Sequence, residues 1–530
     1  MKRADVNDLS SPGFLPDPPP IASPAGAWTD SRNVRYRDGA VEKVTGYVAA
    51  LGSLSATAVF IESVNDGLNA FWVYGTGGGG HGGFGGGDVL YATDVLQHSD
   101  ISHPSITYSA DLDVGWSGGG FHGFTVVTDG SNIPQQWTPS LANNASSLSY
   151  WPATTLIAKR LAFYKDFIWA LRITDTGTYN PRLIRWSDRA QSGALPTSWD
   201  YTDPTNQAGI VELAQTPDAI VDALALRDSM MVYKESYTWL ADYIGGLDVF
   251  SFRQVFSEIG AMAENCAVAF GAKHLVLSDH DLVLHDGSNA SSIVDARTRR
   301  WLFNRISSER YKRSFLTADM KNREILVCFA ETGYDYPNLA LVWNWHEDKF
   351  DVRELGGQKT YAARGIVPNG TAISFDTDTD LGGAFDDAVG AFDVQNYSQF
   401  QERLLIADAG ARKVYQMDTG ETFDGSAMSC YAERTAMGIT QDLGTIKRLW
   451  RIWPKVIATE GEVLNFYISA RESLTSPISY DGPYPFVVGE DSWIDLRIDG
   501  RVFDIRLEYN GSQTFRLSGA GFEFDNTGER

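Results

Sequence analysis

Residues 160–173 read RLAFYKDFIWALRI: an apolar strand, a polar turn around Lys165-Asp166, and a second apolar strand. The same unit recurs along the chain. It appears as ALALRDSMMVYKESYTWLADYIG (223–245), KHLVLSDHDLVLHDG (273–287), KNREILVCFAE with NLALVWNWHEDKFDVREL (321–355) and ERLLIADAGARKVYQM (402–417), with weaker versions starting at Phe71 and Phe124. The anchor strands begin near residues 71, 124, 167, 229, 274, 323 and 403, so they lie 53, 43, 62, 45, 49 and 80 residues apart. Four short strands repeating every ~40–50 residues is the spacing of propeller blades. A β-sandwich also spaces its strands closely, but seven such units exceed one sandwich. The expectation is an all-β chain with a six- to seven-bladed β-propeller over residues 55–435. The wide last gap holds an acidic insertion at 370–400.

The flanks have a different texture. From about residue 440, LWRIWPKVIA, VLNFYISAR, SWIDLRIDGRVFDIRLEYN and TFRLSGAGFEFD are longer alternating strands, read as an antiparallel β-sandwich over 436–530. At the other end, LPDPPPIASP marks residues 1–31 as an extended proline-rich arm that follows a neighbouring surface. Next comes RNVRYRDGAVEKVTGY (32–47). Val34 and Tyr36 alternate with polar residues, and Asp38-Gly39 supplies the positive backbone angles of a two-residue type I′ turn. Tyr36 then faces Val41, and Arg35 faces Glu42. A lone hairpin is marginal in water, so residues 32–54 are expected to dock, and the C-terminal sandwich is the expected partner. One helix is expected at 295–313, DARTRRWLFNRISSERYKR, with Asp295 as its N-cap.

Composition narrows the function classes. Hydrophobic residues make up 43% and aromatics 12%, which is a packed chain and not a disordered one. At 530 residues there is room for more than one core. The formal charge of −23 disfavours tight non-specific binding to nucleic acid or to anionic membranes. Cys266, Cys328 and Cys430 are odd in number and far apart, which suits reduced thiols and not a disulfide framework or a zinc site. The first residues lack the apolar segment of a signal peptide, and no run of about 18 apolar residues occurs, so no membrane-spanning helix is expected.

Several motifs have a chemical reading and a plainer one. GTGGGGHGGFGGG (75–87) lacks the following helix that a phosphate-cradling loop requires, and reads as a blade loop. GWSGG (115–119) fits a nucleophile elbow around Ser117, with His122 and Asp129 nearby. The next residues, however, carry the pattern of a strand and not of the helix the elbow needs. His274, His280 and His285 fall on the two strands and tip of one hairpin, where turn chemistry explains the neighbouring aspartates without a metal. DTDTDLGGAFDD (376–387) approaches calcium-loop spacing, which makes Asp376, Asp378, Asp380 and Asp387 weak calcium candidates. Leu381 replaces the turn glycine, and Asp387 is a short substitute for the bidentate Glu. In the basic segment, Arg297, Arg299 and Arg300 are candidates for docking an acidic neighbour, as are Arg35 and Arg37 of the hairpin. Sialidase-type boxes are missing, and Trp199-Asp200 is a solitary Trp-Asp pair, so enzymatic and WD-scaffold readings lose support.

AWTDSRNVRYRDGAVEKVTGY, MMVYKESYTWLADYIGG, FSEIGAMAENCAVAFGAKHLVLSDHDLVLHDG and ARTRRWLFNRI, with the strand-rich C-terminal end, together resemble the β-propeller nozzle or tail-hub proteins of short-tailed bacteriophages. The resemblance spans most of residues 27–355 and the general character of 440–530, through packing signatures and not a catalytic fingerprint. It implies a structural virion protein: a homohexameric ring at the tail end, attached to an adaptor or tube protein. Tail fibres or a needle would be further neighbours. Double-stranded DNA would pass through the lumen without specific binding. The sandwich would then be a platform holding subunits together. No chemistry comes with the family, so no catalytic residue and no cofactor are expected. A wall that weakly repels DNA would suit a conduit, which makes Asp376, Asp378, Asp380, Asp386 and Asp387 candidates for the lumen. The protein would be made in the host cytoplasm and end in the virion tail. Two other classes stay open: a receptor-binding or glycan-degrading propeller tail protein, and a cytoplasmic β-propeller scaffold.

Overall fold

A computed structural model describes residues 1–17, 24, 26–65, 70–77, 87–95, 97–246, 248–367, 402–439 and 444–529. The chain divides into two compact units: Ala49–Glu264 with Lys359–Gln416, and Met1–Val48 with Asn265–Gln358 and Met417–Arg530. The glycine-rich stretch 78–86 and the insertion 368–401 fall outside the described residues.

The first unit is built from four-stranded antiparallel sheets, each made of strands in sequence order. The first sheet holds Phe60–Asn65, Ala70–Gly75, Leu90–Thr93 and His98–Asp100, and the second runs from Ser117–Phe121 to Ser146–Ser147. The third runs from Leu156–Tyr164 to Gly209–Glu212, and the fourth from Ile220–Leu226 to Phe250–Ser257. The RLAFYKDFIWALRI stretch forms the first hairpin of the third sheet. Tyr164 pairs with Phe167, and Lys165 takes φ 51° at the tip. Behind it, Trp169 and Trp186 meet Phe250 of the fourth sheet edge-on, at 4.8 and 5.3 Å between ring centroids. These rings, with Met230, Val232 and Trp239, form one buried cluster between the two sheets. Large aromatics supply most of the apolar area such a thin layer can bury.

A further sheet of this unit joins Lys359–Ile366, Glu402–Asp408 and Lys413–Met417 to Tyr47–Ser53, so its fourth strand comes from the start of the chain. Its first strand lies on Phe60–Asn65, which lies on Ser117–Phe121, and so on to Leu156–Tyr164 and Ile220–Leu226. These are the inner strands of a propeller. Their approach is close: a Cβ on Gly365 would sit 2.1 Å from the Ser63 Cβ.

The second unit adds two more such sheets. One runs from Ala267–Phe270 to Ala290–Ser292, and the other holds Phe315–Asp319, Glu324–Phe329, Leu339–Asn344 and Lys349–Glu354. Seven meander sheets are therefore present among the described residues, and the fold is an all-β propeller fold. The helix expected at 295–313 is shorter, Ala296–Arg305. Asp295 caps it by accepting from the Thr298 N–H, and a single 3₁₀ turn follows at Tyr311–Arg313.

The remaining strands of this unit form two facing sheets. One has the order Ile494–Gly500, Thr445–Ala458, Phe515–Glu529, Ala40–Lys43, Val34–Arg37, with Lys2–Asn7 also on Phe515–Glu529. The other has the order Asp481–Val487, Val463–Arg471, Val502–Tyr509, Cys430–Met437, Asp30–Arg32. Asp38 and Gly39 take φ 49° and 77° at the hairpin tip, and Tyr36 pairs with Val41 and Arg35 with Glu42.

The N-terminal segment differs from the expectation of an arm. Its strands belong to this unit's own sheets: Ala4 pairs with Phe522, Gly13 with Phe350, and Ser31 with Ala432. Leu9, Phe14, Ala27 and Trp28 are buried. The Trp28 indole donates to the Leu9 carbonyl at 2.7 Å, and Phe14 meets Trp301 edge-on at 5.0 Å. Proline removes donors, but it does not prevent the residues between prolines from pairing at a sheet edge or filling a core. The sandwich therefore begins at Cys430 and includes strands from the first 43 residues.

Candidate functional site

The basic hairpin is held by ion pairs inside the chain. Arg35 is 5% exposed and Glu324 is fully enclosed; the Arg35 Nε lies 2.6 Å from Glu324 Oε1. Arg35 Nη2 reaches Glu324 Oε2 at 2.9 Å and Asp418 Oδ1 at 3.0 Å. Arg353 donates to Glu324 Oε2 at 2.8 Å, and its other Nη lies 3.6 Å from Asp418 Oδ2. Arg37 sits at the rim, 3.4 Å from Glu324 Oε1. Four regions of sequence meet here: the hairpin, the Asp319-to-Glu324 turn, the Lys349–Glu354 strand and the segment after Met417.

Charge and burial set the ionisation of this cluster. Asp418 is buried, which works upward, but Arg353 and Arg35 hold its carboxyl far below the usual range. Asp319 is pushed up to about 6 by burial and by the Asp418 carboxylate beside it. Asp351, buried beside Arg353 and Glu324, is pushed up to about 7, chiefly by burial. Asp319, Glu324 and Asp418 bring carboxylate oxygens within 4.8 Å of one another, a spacing that suits a cation. The two guanidinium groups already bond Glu324 and Asp418, so the donor set fits arginine and not a metal ion.

A second feature lies on the inner strands of the first unit. Glu62 is only partly reachable by solvent, and its carboxyl is pushed up to about 8 by burial. The bare backbone of Gly119 leaves its room: a Cβ there would lie 3.5 Å from Glu62 Oε1 and 3.3 Å from the Phe163 ring. Tyr361, whose hydroxyl is raised by burial, feels the charges of Arg160, Glu62 and Asp222. Arg160 grips Asp222 with two bonds, at 3.0 and 2.8 Å. Five inner strands thus set a carboxyl raised by burial near a paired one. Nothing in FIESVN singles out Glu62, which reads as one polar residue of an alternating strand.

The other expected sites are dispersed or explained locally. Arg299 is bidentate to Asp281 at 3.1 Å, Arg300 lies 3.7 Å from Asp17, and Arg305 lies 2.8 Å from Glu331. The acidic neighbours of the basic segment thus include carboxylates of its own unit; Arg297 is partly exposed on the same helix. The Ser117 hydroxyl is tied to the Leu161 backbone, while His122 contacts Gln191 and Asp166, so no triad assembles. His274 and His285 pack edge-on at 5.5 Å inside their hairpin. Asp376, Asp378, Asp380, Asp386 and Asp387, the calcium and lumen candidates, lie outside the described residues. Between the two facing sheets is an apolar cavity of about 150 Å³ lined by Val6, Trp28, Ile452, Phe466, Leu507 and Phe522.

No protein-family model matches the chain, and no curated protein matches it. Among solved structures, the WD40 β-propeller domain of Doa1 is similar at 9% identity and TM-score 0.35, over 70% of this chain and 96% of that one. PorZ, a surface component of the type-IX secretion system of Porphyromonas gingivalis, is similar at 9% identity and TM-score 0.40, over 84% and 55%. An exo-β-1,3-galactanase from Phanerochaete chrysosporium is similar at 9% identity and TM-score 0.26, over 91% and 100%. Likeness at this level carries no argument about activity or partners.

Proposed function

We propose that this chain is a structural subunit of a short-tailed phage tail, one copy of a homohexameric nozzle or hub ring through which the genome leaves. The sequence stretches quoted above carry the resemblance. The structural observation that supports it is the joining of the N-terminal strands, the basic hairpin and the C-terminal strands into one pair of sheets. A subunit that must hold register in a ring under load gains from such a platform. In this reading the adaptor or tube protein sits against the ring, and DNA passes without specific contact, as the formal charge of −23 favours.

The test is electron microscopy and native mass measurement of the purified protein, with immunolabelling of purified virions. Sixfold rings and label at the tail end are expected. A monomer at all concentrations that is also missing from virions would overturn the reading in favour of a cytoplasmic scaffold. Cleavage of a capsular polysaccharide by the purified protein would favour the glycan-degrading alternative.

A further inference from the structure

The buried cluster around Arg35 has more acid than base. Asp319, Glu324, Asp351 and Asp418 face two enclosed guanidiniums, those of Arg35 and Arg353. Arg37 touches Glu324 only from the half-exposed rim, so two enclosed carboxyls remain without an enclosed cation. Unbalanced charge in such a place is costly, and a protein relieves it by holding a proton. Two observations say where. The Asp319 and Asp418 carboxyls bring oxygens within 4.8 Å of each other in an enclosed site, and two like charges at that spacing favour a proton on one of them. Asp351 is 3% exposed, and its Oδ1 is buried without accepting a hydrogen bond.

We propose that Asp319 and Asp351 carry protons in the folded protein, and that losing them loosens the seat of the 34–43 hairpin: the cluster is a proton-operated latch. Only a proton moves, from each carboxyl to solvent. The latch closes on Arg35, the hairpin's one enclosed cation in the cluster. The other charged groups that face it are Glu42 across the hairpin, Glu421 beside Lys43, and Asp30 near Tyr36. Asp418 stays ionised throughout, held down by the two arginines.

Linkage sets the sign. Asp319 and Asp351 hold protons more tightly folded than unfolded, at about 6 and about 7. Their contribution is full in acid, falls as pH climbs from about 4, and is gone above about 7. Glu62 titrates over an overlapping range in the other unit, so the test must be local.

Amide hydrogen exchange of residues 34–43, corrected for intrinsic rates, is compared with that of residues 178–186 in the third sheet, away from Glu62, at pH 5 and pH 8. In the unmodified protein, hairpin protection is expected to fall at least tenfold more than the reference, which is about one pKa unit of coupling. Asp351→Asn, which mimics the protonated form, is expected to keep the hairpin protected at pH 8. Parallel change in both regions of the unmodified protein overturns the latch. So does an Asp351→Asn variant that folds and still loses hairpin protection as the unmodified protein does. If that variant does not fold, the comparison within the unmodified protein decides alone.

Discussion

Arg35 on the N-terminal hairpin and Glu324 at the start of a propeller strand meet at 2.6 Å, although 289 residues separate them and both are almost fully enclosed. The pair converts what reads as a surface charge into an internal fastener. Burying an ion pair is roughly neutral against an apolar alternative, whereas removing one partner strands the other. Glu324→Gln is expected to cost ~3–5 kcal/mol in unfolding free energy. Denaturant titration measures it, and a loss below about 1 kcal/mol would return the pair to the energetics of a surface bridge.

The N-terminal strands are expected to contribute to folding as well as to any assembly. Phe14 is 2% exposed and Trp28 5%. Phe14→Ala and Trp28→Ala should each cost ~3–5 kcal/mol, as truncation of a buried aromatic does. Deleting residues 1–28 should lower the melting temperature sharply. An unchanged melting curve for the deletion would show that these strands are dispensable to the core.

Glu62 offers a second pH signature, in the other unit. Its folded carboxyl titrates at about 8, above its ordinary value, so it favours the folded state in acid and ceases to as pH rises through 8. Glu62→Gln keeps the shape and removes the ionisation. The variant should melt higher than the unmodified protein at pH 9 and match it at pH 5. Equal melting temperatures at both would mean that the carboxyl is well solvated.

Two glycines on inner strands should respond oppositely to the same change. Gly365→Ala would push a methyl to 2.1 Å from the Ser63 Cβ, whereas a methyl on Gly120 meets nothing within 4 Å. The first should give insoluble or strongly destabilised protein, and the second should be tolerated within about 0.5 kcal/mol. Comparable stability for the two would contradict the packing of the inner strands.

How much of this was legible depended on how far apart the partners lie in the chain. The meander sheets were readable because each strand pairs with the next across a short turn, and the pattern repeats. The hairpin register followed from Asp38-Gly39 alone, and the helix start from Asp295. The strand at Lys2–Asn7 was hidden, since its partner Phe522 is at the far end of the chain and the intervening prolines suggested a free arm. Arg35 looked like an exposed cation because alternation tells which face a residue takes and not what covers that face. Glu62 carried no local mark, since its environment comes from strands that begin at residues 117 and 359.

The sheet that joins Tyr47–Ser53 to Lys413–Met417 has a temporal meaning. At ordinary translation speeds, roughly 20–70 s pass between the emergence of the first of these strands and the last. Throughout that wait the early strand has an unpaired edge, and its partner does not yet exist. Closing a loop of that span is also slow in entropic terms, so completion of this sheet should come late in folding. A cell making this protein in quantity would therefore carry a standing population of nascent chains with an open sheet edge, the form most exposed to mispairing with a neighbour on the same polysome.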